Sequence, residues 1–379
     1  MKRAPQRFLV AAAILLTGCA TTPQPPDTLS GTLLQAIKSA PEPVNSAATT
    51  LPDYTAMRIS IAATGDIMLG TDFPDNRLAT DDGAGYLSAA TAVLQAADIA
   101  FGNVEGVLMD GGEPAKKCSN PKACYLFRSP PRYAQHFATA GFDVMSLANN
   151  HARDFGEEGR DASMAALDAA NILHSGREGN IASWHQNDLR FALIAFSPTK
   201  GSWPLLSIAV ARDAVATLAK DHDIVMVSFH GGSEGSEGSE RLGFGMEYAY
   251  GEPRGNVVEF AHAVIDVGAD IVMGHGPHVP RAMELYNERL IAYSLGNFAT
   301  YYGISVGGAK GYSPILLAEI DGTGRFRSGR LESFIQLRPN GPAPDSRLRA
   351  RNMIAELTAL DFPAGNLEIA ADGTLSRKP

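Results

Sequence analysis

From residue 58 onward the chain alternates short apolar runs of strand length with longer runs whose apolar residues recur at helical spacing, and few architectures accept that pattern. Strands are predicted at 59–63, 98–101, 143–147, 189–196, 224–229 and 271–273, with helices at 87–97, 132–140, 159–170, 212–220 and 257–267. Such an order places helices on the faces of a largely parallel sheet, which is a layered α/β fold. Strand-like pieces then follow at 282–285, 290–294, 315–320 and 329–336, predicting a second sheet or an extension, with one more helix at 349–360. The 379 residues, 45% hydrophobic and 19% charged, suffice for a sizeable core. Two or three domains are possible at that length, but α/β folds often use this much chain as one.

Reactive side chains fall at one place in this pattern. Asp66, Glu105, Asn150 with His151, His230, and His275 with His278 each stand just past the carboxyl end of a predicted strand. Those ends share one rim of an open α/β sheet, and ligands bind there. Carboxylate, amide and imidazole gathered on a rim form the donor set of a divalent metal site. Imidazole suits zinc and iron, whereas carboxylate and amide oxygens suit manganese or magnesium. Each residue alone has a plainer reading. Asp66 caps a following segment, Asn103 and Glu105 are turn residues, Asn150 and His151 belong to a solvated loop, His230 is a satisfied core histidine, and His275 and His278 flank a turn at Pro277. Scatter would not put all of them at strand ends, so a shared site is the expectation. The remaining histidines, His136, His174, His185, His222 and His262, lack that placement. Glu234, close behind His230 on a Gly/Ser/Glu-rich loop, is a candidate substrate contact, while Glu237 and Glu240 read as solvated. There is no serine nucleophile elbow, phosphate-cradling loop or dinucleotide fingerprint. A net charge of -9 without any Lys/Arg run excludes nucleic acid as a partner.

The start of the chain reads as an export signal. Lys2, Arg3 and Arg7 precede an apolar run at 8–16 that is too short to span a bilayer. Leu16-Thr17-Gly18-Cys19 resembles a lipobox, which implies removal of residues 1–18 and acylation of Cys19. The next residues, Ala20 and Thr21, include no aspartate, so the expected location is the outer membrane, facing the periplasm, in a Gram-negative cell. Residues 19–57, rich in Thr, Pro, Ala and Ser, read as a flexible tether. The main domain is expected at 58–340 and a carboxyl-terminal extension at 341–379. Outside the cytoplasm the closely spaced Cys118 and Cys124 read as a disulfide, since a zinc site would need two further ligands nearby.

Six motifs in order carry a resemblance to the CapA family, the poly-γ-glutamate capsule-synthesis proteins. They are Gly65-Asp66-Ile67-Met68-Leu69-Gly70, Asn103-Val104-Glu105-Gly106, Ser146-Leu147-Ala148-Asn149-Asn150-His151 with Asp154 and Gly156, His230-Gly231-Gly232, Gly274-His275-Gly276-Pro277-His278-Val279, and Ile291-Ala292-Tyr293-Ser294-Leu295-Gly296-Asn297-Phe298. The resemblance covers roughly residues 58–300 and extends to the calcineurin-like metallophosphoesterases. It implies a four-layered α/β/β/α sandwich holding one or two divalent ions (Mn, Zn, Fe or Mg). In that scheme Asp66 is the first metal aspartate, Glu105 takes the bridging position, Asn150 is an amide ligand, and His230 with His275 or His278 completes the shells, the three-residue spacing of the last two leaving both as candidates. His151 would be the general acid, with Asp154 beside it among the catalytic residues; Asn103, Glu234 and Asn297 would meet substrate. Met68 stands where the phosphoesterase pattern has a ligand histidine, and a thioether ligates hard metals poorly. The function implied is a metal-dependent hydrolase or transferase acting on an anionic cell-surface polymer or its precursor. The rival reading is a non-catalytic accessory that binds, exports or tethers the polymer beside other capsule-synthesis membrane proteins.

Overall fold

A computed structural model of the chain describes residues 53–116, 124–235 and 239–379. The leader, Cys19 and most of the tether lie outside these residues, as do Glu237 and Cys118, and with Cys118 its pairing to Cys124.

The first apolar runs become parallel strands of one sheet, β1 (Ile59–Met68), β2 (Ile99–Val104), β3 (Val144–Ser146) and β4 (Leu173–Ser175), in that spatial order. Successive side chains of β1 face opposite ways: Ile59, Ile61 and Ala63 point to one core, Ala62 to another. Both faces are covered, which is why these strands read as unbroken apolar runs rather than alternating ones. Helices α1 (Ser88–Gln95), α2 (Ala134–Ala140) and α3 (Gly156–Ala169) cover the outer face, where Leu94, Phe137 and Leu167 pack with Ala62, Ala100 and Met145.

A second sheet is built the same way from β5 (Leu189–Ser197), β6 (Ile224–His230), β7 (Ile271–His275) and β8 (Arg289–Ala292), all parallel neighbours. Its outer helices are α4 (Ile208–Asp221) and α5 (Val257–Ile265), which bury Val215 and Phe260 against Ile194, Val227 and Val272. Asn256 caps α5 by accepting the Glu259 N–H at 3.2 Å. The inner faces of the two sheets meet through Ile61, Phe101, Phe191, Met226 and Met273. The layers therefore run helix, sheet, sheet, helix, as the resemblance implied.

The later strands extend the first sheet. Strand β9 (Asn297–Thr300) pairs parallel with the end of β1, and β10 (Tyr312–Ile320) and β11 (Phe326–Gln336) continue the sheet antiparallel. The segment beyond residue 340 adds α6 (Arg349–Asp361) and the strands Leu367–Ile369 and Thr374–Arg377, the latter pairing with β11.

Strand β1 is longer than its apolar run predicts. It continues to Met68 because its end is paired on both sides, with Asp66 opposite Asn103 of β2 and opposite Asn297 of β9. The register shifts around Asp66 on both sides. Irregularities of this kind re-aim side chains next to active sites. Gly65 permits the approach, since a Cβ there would lie 2.0 Å from the Gly296 carbonyl oxygen. Gly65→Ala is therefore expected to lower stability by about 3 kcal/mol or more through backbone displacement. Gly85→Ala, whose Cβ would meet only the Asp81 Oδ2 atom at an ordinary 3.5 Å, should stay within about 0.5 kcal/mol of wild type. Urea denaturation of the two variants checks the difference; equal midpoints would show that the crossing at Gly65 is not tight.

Candidate metal centre

Strand ends from both sheets deliver acidic and imidazole groups to one buried point. The Asp66 carboxylate is 0% exposed, accepts from Asn103 Nδ2 at 2.8 Å, and lies 3.2 Å from His278 Nδ1 and 3.8 Å from His230 Nδ1. Glu105, just past β2, is fixed by its N–H to the Ile67 carbonyl at 2.9 Å, and its Oε1 lies 3.6 Å from His278 Nε2 and 3.9 Å from His151 Nε2. Asp66, Glu105 and His278 offer ligand atoms that all lie within 4.8 Å of one another. His230 ends β6 directly opposite His275 on β7.

Among the described residues, several buried atoms of these side chains have no hydrogen-bond partner: Asp66 Oδ2, both Glu105 oxygens, Asn150 Oδ1, both His230 ring nitrogens and His275 Nδ1. Buried polar atoms are almost always paired. Partnerless carboxylate oxygens and imidazole nitrogens gathered in this way fit the donor set of a divalent cation. The outer contacts have the matching form, because ligating histidines usually donate their second N–H to protein oxygen. His275 Nε2 meets the Thr64 carbonyl at 3.1 Å, and His278 Nδ1 meets Asn297 Oδ1 at 2.9 Å. His278 also sits at φ 60°, a left-handed conformation uncommon for a non-glycine residue and concentrated at functional sites.

Burial and mutual charge pull the titrating groups apart. Burial pushes the Asp66 carboxyl up, but the adjacent His278 imidazole and the charges of His230 and His275 hold it below the usual carboxylate range. Burial drives Glu105 well above that range, with Asp66 and Glu234 adding to the shift. Burial lowers His278, yet the carboxylates of Glu105, Asp66 and Glu234 keep it well above the usual imidazole range. His230 is pushed down to about 3 by burial, against the attraction of Asp66. Glu105 and His278 are thus both held toward their protonated forms, an arrangement that a cation would replace.

His151 stands at the edge of this cluster. Its Nδ1 is 2.7 Å from Asp154 Oδ2, which orients the ring and leaves Nε2 toward Glu105. The Phe127 ring covers it at 4.2 Å between centroids. Burial lowers the His151 pKa, partly offset by Asp154. Lys116 Nζ, 3.4 Å from both Asp154 Oδ1 and His151 Nδ1, completes the group. Sequence reasoning missed Lys116 because it lies in the stretch read only as a disulfide loop.

Two residues expected at the substrate occupy another role. Asn103 and Asn297 are 0% exposed and their amides are already engaged. Asn103 holds Asp66 and takes a 3.4 Å contact from Asn149, while Asn297 holds His278 and donates to the Ser305 and Lys310 carbonyls at 3.3 and 3.0 Å. They orient ligand atoms from behind. Asn149, not singled out from sequence, orients the next motif: it accepts the His151 N–H at 3.0 Å and donates to the Val104 carbonyl at 2.7 Å. Met68, in the place of an expected ligand, packs with Phe127 and Ile304.

Glu234 does approach the cluster, with Oε1 3.5 Å from His278 Nε2 and Oε2 3.9 Å from Arg254 Nη2. Burial raises its pKa, but His278 and Arg254 bring it down to about 2. Its loop is anchored by Arg281, a fully buried guanidinium that bonds Glu247 at 2.8 and 3.1 Å, Ser233 Oγ at 2.9 Å and the Ser239 carbonyl at 2.7 Å. Nothing local in the sequence marks Arg281, because its partner lies 34 residues earlier. Arg281→Met leaves Glu247 buried and uncompensated, so unfolding free energy should fall by about 3–5 kcal/mol. The double variant with Glu247→Met should recover much of that loss. Urea titration of the single and double variants measures it, and purely additive losses would contradict the pairing.

Residues 60–302 match the family described as bacterial capsule synthesis protein PGA_cap. The chain is 28% identical over 256 residues to the capsule biosynthesis protein CapA of Bacillus anthracis, covering 64% of this chain and 59% of that one. It is also 28% identical over 230 residues to the PGA biosynthesis protein CapA of Bacillus subtilis, covering 57% of each. The chain therefore spans less than two thirds of the length of these relatives. Among solved structures it is similar to the 5'-nucleotidase precursor from Thermus thermophilus, with 14% identity, 81% of this chain and 59% of that one covered, and a TM-score of 0.40. The family match runs from the second residue of β1 past the start of β9 and contains every residue of the centre, and the chain belongs to the bacterial capsule synthesis PGA_cap family.

Proposed function

We propose that this protein acts on an anionic cell-surface polymer of the poly-γ-glutamate type, or on its precursor, as a metal-dependent hydrolase or transferase. The observation that carries the reading is the convergence of partnerless buried donors, Asp66 Oδ2, both Glu105 oxygens and the His230 ring nitrogens, on one point. The substrate class follows from relatives described as capsule and PGA biosynthesis proteins. Asp66, Glu105, Asn150, His230, His275 and His278 would hold one or two ions of the Mn, Fe, Zn or Mg kind. A bound ion supplies Lewis acidity and an acidified water.

The chain's own residues supply the rest. Asp154 holds His151 so that Nε2 faces the cluster at Glu105, the position from which a leaving group can be protonated. Lys116 beside Asp154 counters the carboxylate's charge at that ring. Phe127 packs on the imidazole and excludes water from one side. Export and anchoring through Cys19 belong to the same proposal, since a surface polymer is met outside the cytoplasm.

Elemental analysis of the purified full chain should find a divalent metal, and Asp66→Asn and His278→Ala should lose it. His151→Ala should keep the metal and cut cleavage of a γ-linked glutamate oligomer or an aryl phosphate ester by about 10²–10⁴-fold. Equal metal content in wild type and Asp66→Asn would end the reading. Metal retained with no bond cleaved in either substrate would turn it to the accessory role.

A further inference from the structure

A groove of about 430 Å³ lies beside the centre, walled by Phe73, Arg77, Phe127, Tyr302, Ser305 and Arg338. Its charged lining residues are both arginines, in a chain whose net charge is -9. Arg338 is half-buried and, among the described residues, its contacts are uncharged: the Ile304 carbonyl, the Thr300 carbonyl at 3.4 Å and the Tyr302 ring at 5.1 Å. Its Nε is buried without a hydrogen-bond partner among those residues. Among the described residues Arg77 pairs only with Asp75, at 3.9 Å between two well-exposed side chains, a contact of little worth. A desolvated guanidinium without a counter-ion is costly, and the groove leaves room for one.

The groove shares walls with the centre. Phe127 lines it and packs on His151 at 4.2 Å. On the other side, the Ser305 carbonyl accepts from Asn297 Nδ2 at 3.3 Å, and Asn297 in turn holds His278 at 2.9 Å. A ligand lying in the groove is therefore next to the reacting end.

We propose that this groove is a carboxylate-binding subsite that receives an extended polyacid, one carboxylate pairing with Arg338 and a neighbouring one with Arg77, while the aromatic walls pack against the chain between them. Guanidinium forks match carboxylates in two-point geometry, and Tyr302 backs the Arg338 fork. The identity of the polyacid rests on the proposed function. The binding does not, because neither arginine is part of the metal centre.

The test is calorimetric binding of a γ-linked glutamate hexamer to the full chain, beside its fully amidated counterpart and glutarate alone. The hexamer should bind, the amidated form should not, and glutarate should bind far more weakly. Arg338→Gln should weaken hexamer binding about tenfold or more, Arg338→Lys less, and the exposed Arg77→Gln by a smaller factor. Urea midpoints show whether Arg338→Gln remains folded; if it does not, Arg77→Gln and Arg338→Lys decide. Hexamer binding unchanged in Arg77→Gln and in a folded Arg338 variant overturns the subsite. So does equal affinity for the amidated chain, or for glutarate. His278→Ala separates the two proposals: metal lost with hexamer binding kept supports the groove, whatever becomes of the catalytic reading.

Discussion

The structure depends on the register of β1 at Asp66. That residue is paired across to Asn103 on one side and Asn297 on the other, and the two asparagines orient different ligand atoms, Asn103 the Asp66 carboxylate and Asn297 the His278 ring. A slip of one residue would turn every side chain of the strand to the other face. The apolar alternation of Ile59, Ile61 and Ala63 against Ala62 forbids it, because each set already fills a different core. The same hydrophobic packing that makes the sandwich thus sets the position of its most buried acid. Gly65 supplies the last condition, an approach to Gly296 too close for any side chain.

What this arrangement holds together is not stable by its own electrostatics. Asp66, Glu105 and Glu234 share a largely buried volume with His230 and His278, and several of their polar atoms lack partners among the described residues. Each such group works against folding. The surrounding structure compensates by over-determination: buried sheets on two sides, amides holding ligands from behind, and the Arg281–Glu247 pair pinning the Glu234 loop. A cation bound only by the folded form would return part of that energy, in proportion to the logarithm of its concentration over its dissociation constant. Active sites commonly carry strain of this kind, and the left-handed His278 belongs to it.

Much of this was legible in the sequence because strand ends are marked by local signals. The apolar runs ending at Phe101, Phe229 and Met273 announce the strands, and the polar residues after them announce the rim. Asp66, Glu105, His151, His230, His275 and His278 were singled out in that way, and the fold brings them near one another. Residues whose role depends on a distant partner were not. Lys116 matters through Asp154, and Arg281 through Glu247, pairs that only the folded chain brings together. The roles assigned to Asn103 and Asn297 moved from substrate to support because register, which periodicity does not encode, placed their amides against ligands. The strands Leu367–Ile369 and Thr374–Arg377 escaped notice since so short a pair has no period to read.

The charge distribution bears on how such a site would meet a polyanion. With a net charge of -9 the protein as a whole repels an acidic polymer. At physiological ionic strength that repulsion fades beyond about 8 Å, the Debye length, so it slows encounter without forbidding contact. Recognition must then come from short-range groups whose charge is already desolvated. On the proposed reading Arg338, half-buried over Tyr302 in the groove that Phe127 lines, is such a group, whereas Lys116 already pairs with Asp154. A half-buried guanidinium has lost part of its hydration before the ligand arrives, so pairing with a carboxylate demands less further desolvation on the protein's side than at an exposed arginine. On that reading, an acidic surface with a half-buried arginine beside the centre would select for chains that can reach inward, and against small anions that remain in solvent.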